Sequence, residues 1–136
     1  MRSATRSALV DRLRRFPTLV EVGVGRRTGV ATALATACEV RATDVVERDV
    51  PDGVTFHRDD VTDPDPAVYA GADAVYALNL PPELHRPALA AARSHDATFA
   101  FTTLGGDGPE VPARPETLPG ETLFWATEAD APPPGR

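Results

Sequence analysis

The stretch TLVEVGVGRRTGVATAL, residues 18–34, joins a β-branched run to three glycines and then to an Ala/Thr/Leu segment. This pattern predicts a strand, a glycine-rich loop and a helix, the first unit of a nucleotide-binding fold. Gly23 and Gly25 let the backbone turn sharply and approach a ligand, and the following helix offers free N–H groups at its start. Dinucleotides and S-adenosylmethionine both use such a loop, so the surrounding residues must distinguish them.

Glu21 distinguishes the two ligands by its charge. This carboxylate lies two residues before the first glycine, in an otherwise apolar strand. It would repel a pyrophosphate but attract the ammonium group of a methionine moiety. The dinucleotide fingerprint also expects glycine at position 28, where this chain has Thr28. The sequence therefore favours S-adenosylmethionine. Two alternatives stay open: an NAD(P)-binding module with Arg26 and Arg27 on the phosphates, or a local ion pair between Glu21 and one of these arginines.

Other polar residues lie where predicted strands end. Asp44 ends the second strand, Asp60 and its apolar neighbour Val61 follow the third, and Asn79 ends the fourth. Each acid also has a local interpretation, as the start of a turn or as a solvated loop residue, and Asn79 can satisfy backbone groups before a helix that starts with proline. Three dispersed histidines form no motif, and Cys38 has no second thiol or nearby histidine, so we expect no metal site and a half-buried structural cysteine.

Strands that alternate with helices must position these residues. The pattern predicts one α/β domain over residues 1–136, a Rossmann-like three-layer αβα sandwich with a mostly parallel sheet of order 3-2-1-4-5. The predicted strands are residues 18–22, 40–44, 53–57, 73–79, 97–104 and 121–127. The predicted helices are residues 1–17, about 28–38 and 81–95, and residues 66–70 are predicted to form a short helix or a turn.

The segment GGDGPEVPARPETLPG, residues 105–120, contains too much proline and glycine for a crossover helix. The last strand is therefore predicted to run antiparallel beside the fifth strand, at the edge of the sheet. The tail, residues 130–136, is predicted to be disordered. Neither a membrane-spanning run nor a signal peptide is evident, so we expect a cytoplasmic protein.

The charge of the chain is unevenly distributed. All 14 basic residues are arginine and the net charge is -6, a composition typical of salt-loving archaea, although a GC-rich genome also favours arginine. Residues 1–17 carry five arginines against Asp11, and the rest of the chain carries nine against nineteen acids. The leading amphipathic helix could therefore meet RNA phosphates, but we expect a solvated or paired face, because the acidic body repels nucleic acid. A homodimer or a partner protein remains open.

VEVGVG, residues 20–25, resembles the first motif of class I S-adenosylmethionine-dependent methyltransferases, and the resemblance extends from Thr18 to about Thr103. It implies that Glu21, Gly23 and Gly25 bind S-adenosylmethionine and that the chain is a methyltransferase or descends from one. Arg27 departs from the pattern, since it occupies the place of a third glycine.

The same resemblance assigns the later polar residues. It implies that Asp44 takes the ribose hydroxyls, that Asp60 and Val61 meet the adenine, and that Asn79 faces the transferable methyl as the candidate catalytic residue. NLPP, residues 79–82, departs from the family's fourth motif because Leu80 separates Asn79 from the prolines. The whole chain also resembles an uncharacterised family of small archaeal Rossmann-like proteins. A scaffold that lost its ligand and binds a protein or RNA partner is therefore a further alternative.

Overall fold

The computed structural model describes residues 1–127. Seven strands and four α-helices alternate along this part of the chain, with a 3-10 turn before the last helix. The strands are β1 Thr18–Val22, β2 Glu39–Asp44, β3 Val54–Arg58, β4 Ala74–Leu80, β5 Thr98–Thr103, β6 Ala113–Leu118 and β7 Glu121–Ala126. The helices are α1 Ser3–Leu13, α2 Gly29–Leu34, α3 Pro66–Tyr69 and α4 His85–Arg93, and the 3-10 turn is Pro82–Leu84.

All strands belong to one sheet of order β3-β2-β1-β4-β5-β7-β6. The first five are parallel, which confirms the predicted order of the core. Strand order reverses between β1 and β4, so the carboxyl end of β1 lies where open α/β sheets bind their ligands. The glycine loop, residues 23–25, begins at this point.

The edge of the sheet differs from the prediction. β7 runs antiparallel to β5 as expected, but β6 pairs with its outer side and takes the edge position. The prolines of this segment exclude a helix, yet Pro115 is compatible with an edge strand. At the edge of a sheet, a residue without an N–H need not break a hydrogen bond to a neighbouring strand. A turn at Pro119 and Gly120 then joins β6 and β7 into a hairpin.

Apolar residues cover both faces of the sheet, which confirms the three-layer arrangement. α1 and α2 pack on one face through Leu9, Leu13 and Leu34, while α4 packs on the other through Ala88 and Leu89. Alternation along the strands divides the side chains, so that Leu19 and Tyr76 face the α1/α2 layer, whereas Val20, Val75, Phe99 and Phe101 face the α4 layer. Glu21 shares the face of Leu19, because residues two apart in a strand point the same way.

The helices are shorter than predicted. α1 ends at Leu13 rather than at residue 17, and α2 ends at Leu34, after which residues 35–38 turn back towards β2. The predicted helix 81–95 divides into the 3-10 turn and α4. Cys38 is half-buried as expected. The predicted disorder of residues 130–136 lies outside the described residues. No helix among residues 1–127 has the length and apolar character needed to cross a membrane.

Candidate functional site at the carboxyl end of β1

A cavity of about 870 Å³ opens at the carboxyl ends of β1 and β4. Its volume is within the range of small-molecule sites, roughly 300 to 1,000 Å³. Glu21, Gly23, Gly25 and Asn79 all line it, so the structure brings these four predicted residues together. The start of α1 and the β6–β7 turn complete the wall.

Glu21 is the buried acid of this cavity. Only 2% of the residue is exposed, and the Tyr76 hydroxyl donates a hydrogen bond of 2.5 Å to its Oε1. Burial raises the pKa of the carboxyl from 4.5 to about 8, although the Tyr76 hydrogen bond opposes the shift. Burial, together with the same pairing, raises the pKa of Tyr76 well above 10. At neutral pH the Glu21 carboxyl is therefore mostly protonated, and a cation in the cavity would favour its ionised form.

The alternative interpretation of Glu21, an ion pair with one of the loop arginines, is wrong. Within residues 1–127, Arg26 and Arg27 make no ion pair with any acid, and both are exposed. Glu21 instead finds its partner on the neighbouring strand, because the β1–β4 register places Tyr76 beside it. The sequence alone does not place Tyr76 at the site, because the β1–β4 register is set by packing of the core rather than by a local pattern.

The glycine loop is held in a left-handed conformation by the end of β2. Gly23 and Gly25 have φ angles of 71° and 59°, which side chains disfavour. The Gly25 N–H donates to Asp44 Oδ2 at 2.9 Å, and the Val46 N–H donates to Asp44 Oδ1 at 3.2 Å. Asp44 therefore begins a local turn, as the alternative interpretation proposed, and also braces the loop. Arg48 Nε lies 3.4 Å from Asp44 Oδ2, as an ion pair without hydrogen-bond geometry.

We expect Asp44→Ala to lower the free energy of unfolding by about 1 to 3 kcal/mol, because it removes the partner of the Gly25 N–H. Urea denaturation followed by circular dichroism measures the change. Asp52→Ala is the matched control, since Asp52 is an exposed acid between β2 and β3, and it should change stability by less than about 0.5 kcal/mol. Equal stability of the two variants would show that Asp44 does not brace the loop.

Asp60 and Val61 lie outside the lining of this cavity. Asp60 is exposed and accepts hydrogen bonds from the Thr62 N–H at 2.9 Å and the Thr62 hydroxyl at 2.7 Å, which lower its pKa. Val61 is buried in the α4 layer. The neighbouring Asp59 accepts from the Asp65 N–H at 2.9 Å, so both acids order the loop after β3.

Asn79 is presented to the cavity by a strained backbone. Its φ angle is 52°, and a bulge interrupts the β4–β5 pairing between Ala77 and Leu80. Its N–H donates to Thr102 Oγ1 at 2.8 Å. The Asn79 side chain does not cap the following 3-10 turn, whose N-cap residue is Pro81, so the capping interpretation is wrong. Strained residues of this kind cluster at functional sites.

The start of α1 contributes residues that the sequence did not place at the site. Arg2 and Arg6 line the cavity together with Arg26 and Arg27. Arg12, on the same helix, instead pairs with Glu116 of β6 at 3.1 Å, so part of the basic face is paired with the acidic body as expected. No signal in the sequence could have found Arg2 and Arg6, because their place depends on how α1 crosses the sheet.

A comparison with protein-family models matches residues 7–129 to the uncharacterised protein family UPF0146. The chain belongs to this family. A UPF0146 protein of Halobacterium salinarum is 50% identical over 113 residues, which cover 82% of this chain and 88% of the relative. The match confirms the resemblance to an uncharacterised family with archaeal members.

Solved structures of methyltransferases share the fold of this UPF0146 chain. Human N-acetylserotonin methyltransferase, in complex with SAM, has a TM-score of 0.65 at 10% identity, over 91% of this chain and 52% of that enzyme. An RNA methyltransferase from Salinibacter ruber, in complex with S-adenosyl-L-homocysteine, has a TM-score of 0.62 at 18% identity, over 95% of this chain and 91% of that protein. At such identities the likeness shows the fold alone.

Proposed function

We propose that this chain binds S-adenosylmethionine and S-adenosylhomocysteine in the cavity above β1 and β4, and that it acts as a methyltransferase on an acceptor held in the same cavity. The observation that carries the proposal is Glu21, a buried carboxyl on the cavity wall beside two glycines in left-handed conformation. The fold-level likeness to proteins solved with SAM or S-adenosyl-L-homocysteine supports it.

The residues present fit the methionine end of such a ligand. Glu21 Oε1 accepts from Tyr76, and within residues 1–127 its other oxygen accepts no hydrogen bond. That oxygen is available for an ammonium group, and ionisation of the carboxyl then gains a partner that offsets its burial. Gly23 and Gly25 leave open space, because a Cβ added at either would meet no atom within 4 Å.

The residues for the nucleoside end remain proposals. Asp44 is held at the end of β2, where a ribose acceptor would lie, although its oxygens already accept from Gly25 and Val46. Asp60 and Val61 are proposed for the adenine, on the loop that follows β3. Both hydrogen bonds from Thr62 go to Asp60 Oδ1, so we propose Oδ2 for this contact.

S-adenosylmethionine supplies a methyl group on a sulfonium when it is bound. The chain's own residues then need only bind and orient, since alignment of two reactants can supply much of the rate. Asn79 is the residue that we propose for orienting the acceptor, because it lines the cavity and its side chain makes no hydrogen bond within residues 1–127.

The experiment that tests this function is a thermal shift assay on the full chain. At a hundredfold excess over its dissociation constant, a ligand of the native state stabilises it by about 2.7 kcal/mol, which raises the melting temperature by several degrees. S-adenosylmethionine and S-adenosylhomocysteine are expected to give this shift, and NAD is not. A shift with NAD alone would favour the dinucleotide alternative. No shift with any of them at millimolar concentration would favour the scaffold.

A further inference from the structure

We propose that the second ligand of the cavity is a small molecule carrying phosphate or carboxylate groups, held by four arginines. Arg2 and Arg6 come from α1, and Arg26 and Arg27 come from the glycine loop. We call these four residues the arginine wall. The binding of an anion does not depend on the proposed function. The further statement that this anion is the methyl acceptor rests on the proposed function.

The arginine wall has no acidic partner in the described part of the chain. Its members take part in no ion pair among residues 1–127, whereas Arg12, Arg41 and Arg48 each do. This is unexpected in a chain of net charge -6, in which acids outnumber arginines by 20 to 14. Exposed arginines are usually solvated individually, but these four converge on one cavity from two segments that are distant in sequence.

The acids of the cavity leave most of this positive charge uncompensated. Glu21 is mostly protonated at neutral pH because burial raises its pKa to about 8. Glu121, in the β6–β7 hairpin, is the other acid among the lining residues that the structure describes. A cavity with several cationic guanidinium groups and one ionised carboxylate attracts anions, and arginine binds phosphate or carboxylate oxygens in a bidentate manner.

Specific contacts hold the α1 half of the arginine wall in place. Gly29 leaves room for Arg6, since a Cβ at Gly29 would lie 2.9 Å from a terminal nitrogen of Arg6. The Thr5 hydroxyl donates a hydrogen bond of 2.5 Å to the Pro119 carbonyl, which fixes the start of α1 against the β6–β7 turn. Arg6 therefore lies against the first residue of α2, next to the loop that carries Arg26 and Arg27.

The size and surroundings of the cavity favour a small anion over a nucleic acid. The cavity is a concave space of about 870 Å³ rather than a basic stripe across the surface. Outside residues 1–17 the chain carries nine arginines and nineteen acids, so its body repels a polyanion. A small anion reaches the arginine wall without contacting that body.

Isothermal titration calorimetry of the full chain tests the proposal, with inorganic pyrophosphate and citrate as phosphate and carboxylate probes. The salt concentration is the lowest at which the wild type is folded. The variants are Arg2→Gln/Arg6→Gln and Arg26→Gln/Arg27→Gln. The control Arg15→Gln/Arg86→Gln removes the same charge from two exposed arginines outside the cavity.

We expect at least one probe to bind the wild type, and each cavity variant to weaken it by about tenfold or more, because each loses charge-assisted hydrogen bonds. The control should change the affinity by less than about twofold, since distant exposed charges are screened. Which probe binds decides between phosphate and carboxylate. Absence of binding by both, or equal loss in the control, would overturn the proposal.

S-adenosylhomocysteine, titrated into the same variants, separates this proposal from the proposed function. We expect its affinity to stay within about threefold of the wild type, because Glu21, Gly23 and Gly25 remain. If the cavity variants weaken S-adenosylhomocysteine while neither probe binds, the arginine wall holds the methionine carboxylate and the anion proposal is wrong. If a probe binds and S-adenosylhomocysteine does not, the anion site stands and the proposed function fails.

If labelled single-stranded RNA binds more tightly than either probe and competes for the arginine wall, the small-molecule proposal is overturned.

Discussion

Glu21→Gln is expected to make the protein more stable than the wild type above pH 8, and close to it in stability near pH 5. The folded carboxyl has a pKa raised from 4.5 to about 8 by burial, so the native state binds a proton that the unfolded chain releases. Its stabilising contribution is complete below pH 4.5 and is lost as the pH rises through 8. Between these two pH values, the ionisation of Glu21 lowers the free energy of unfolding of the wild type by about 1.4 kcal/mol per pH unit.

Glutamine stays neutral at every pH and can still accept the hydrogen bond from Tyr76. The variant therefore does not lose stability through this position as the pH rises. Urea denaturation of the wild type and of Glu21→Gln at half-unit intervals from pH 5 to 9 measures the difference, which should grow to several kcal/mol. The other charged groups of the cavity, the arginine wall and Glu121, are common to both proteins. Glu121→Gln is the matched control, because it removes a half-buried carboxylate from the same cavity and should follow the wild type.

Tyr76→Phe provides an independent measurement on the same group. The Tyr76 hydrogen bond lowers the pKa of Glu21 in the folded state, so its removal should extend the loss of stability to higher pH, while the loss still begins near pH 4.5. Parallel stability curves for the wild type and Glu21→Gln would show that Glu21 ionises normally in the folded state.

The affinity for S-adenosylhomocysteine is expected to rise about tenfold between pH 6 and pH 7 and about fivefold between pH 7 and pH 8, because the ionised fraction of Glu21 levels off as the pH reaches the pKa of about 8. An ammonium group beside Glu21 requires the ionised carboxylate, whereas the free protein holds it mostly protonated below pH 8. Binding therefore releases close to one proton at pH 7, by the linkage between protonation and ligand binding. Calorimetric titrations in buffers of different ionisation enthalpy measure this proton directly.

Glu21→Gln should bind the same ligand with an affinity that hardly changes over this pH range. At pH 8 its affinity should be lower than that of the wild type by roughly one to two orders of magnitude, because one charge-assisted hydrogen bond is lost. A wild-type affinity that is independent of pH, with no proton released, would contradict a role for Glu21 in binding the ammonium group.

Much of the sheet could be predicted because its signals are local. The apolar runs of β1, β2, β4 and β5 and the helical segments between them dictate parallel pairing, and the glycine loop identifies which strand end binds a ligand. β6 was not predicted, because its prolines and glycines exclude a helix but do not exclude an edge strand. An edge strand pairs with a neighbouring strand on one side only. The helix ends were misplaced because residues 14–17 and 35–38 have no strong stop signals except Pro17.

The sequence by itself determined which residue types surround the cavity: a carboxylate before the glycines, acids after β2 and β3, and an asparagine after β4. These follow from the periodicity of strands and from the chemistry of turns, which act over a few residues. Only the tertiary structure decided that Glu21 pairs with Tyr76 rather than with Arg26, that Asp44 braces Gly25, and that Arg6 lies over Gly29. Strand register and helix crossing bring these groups together across 19 to 55 positions of sequence, and both are set by packing of the whole core rather than by any local pattern.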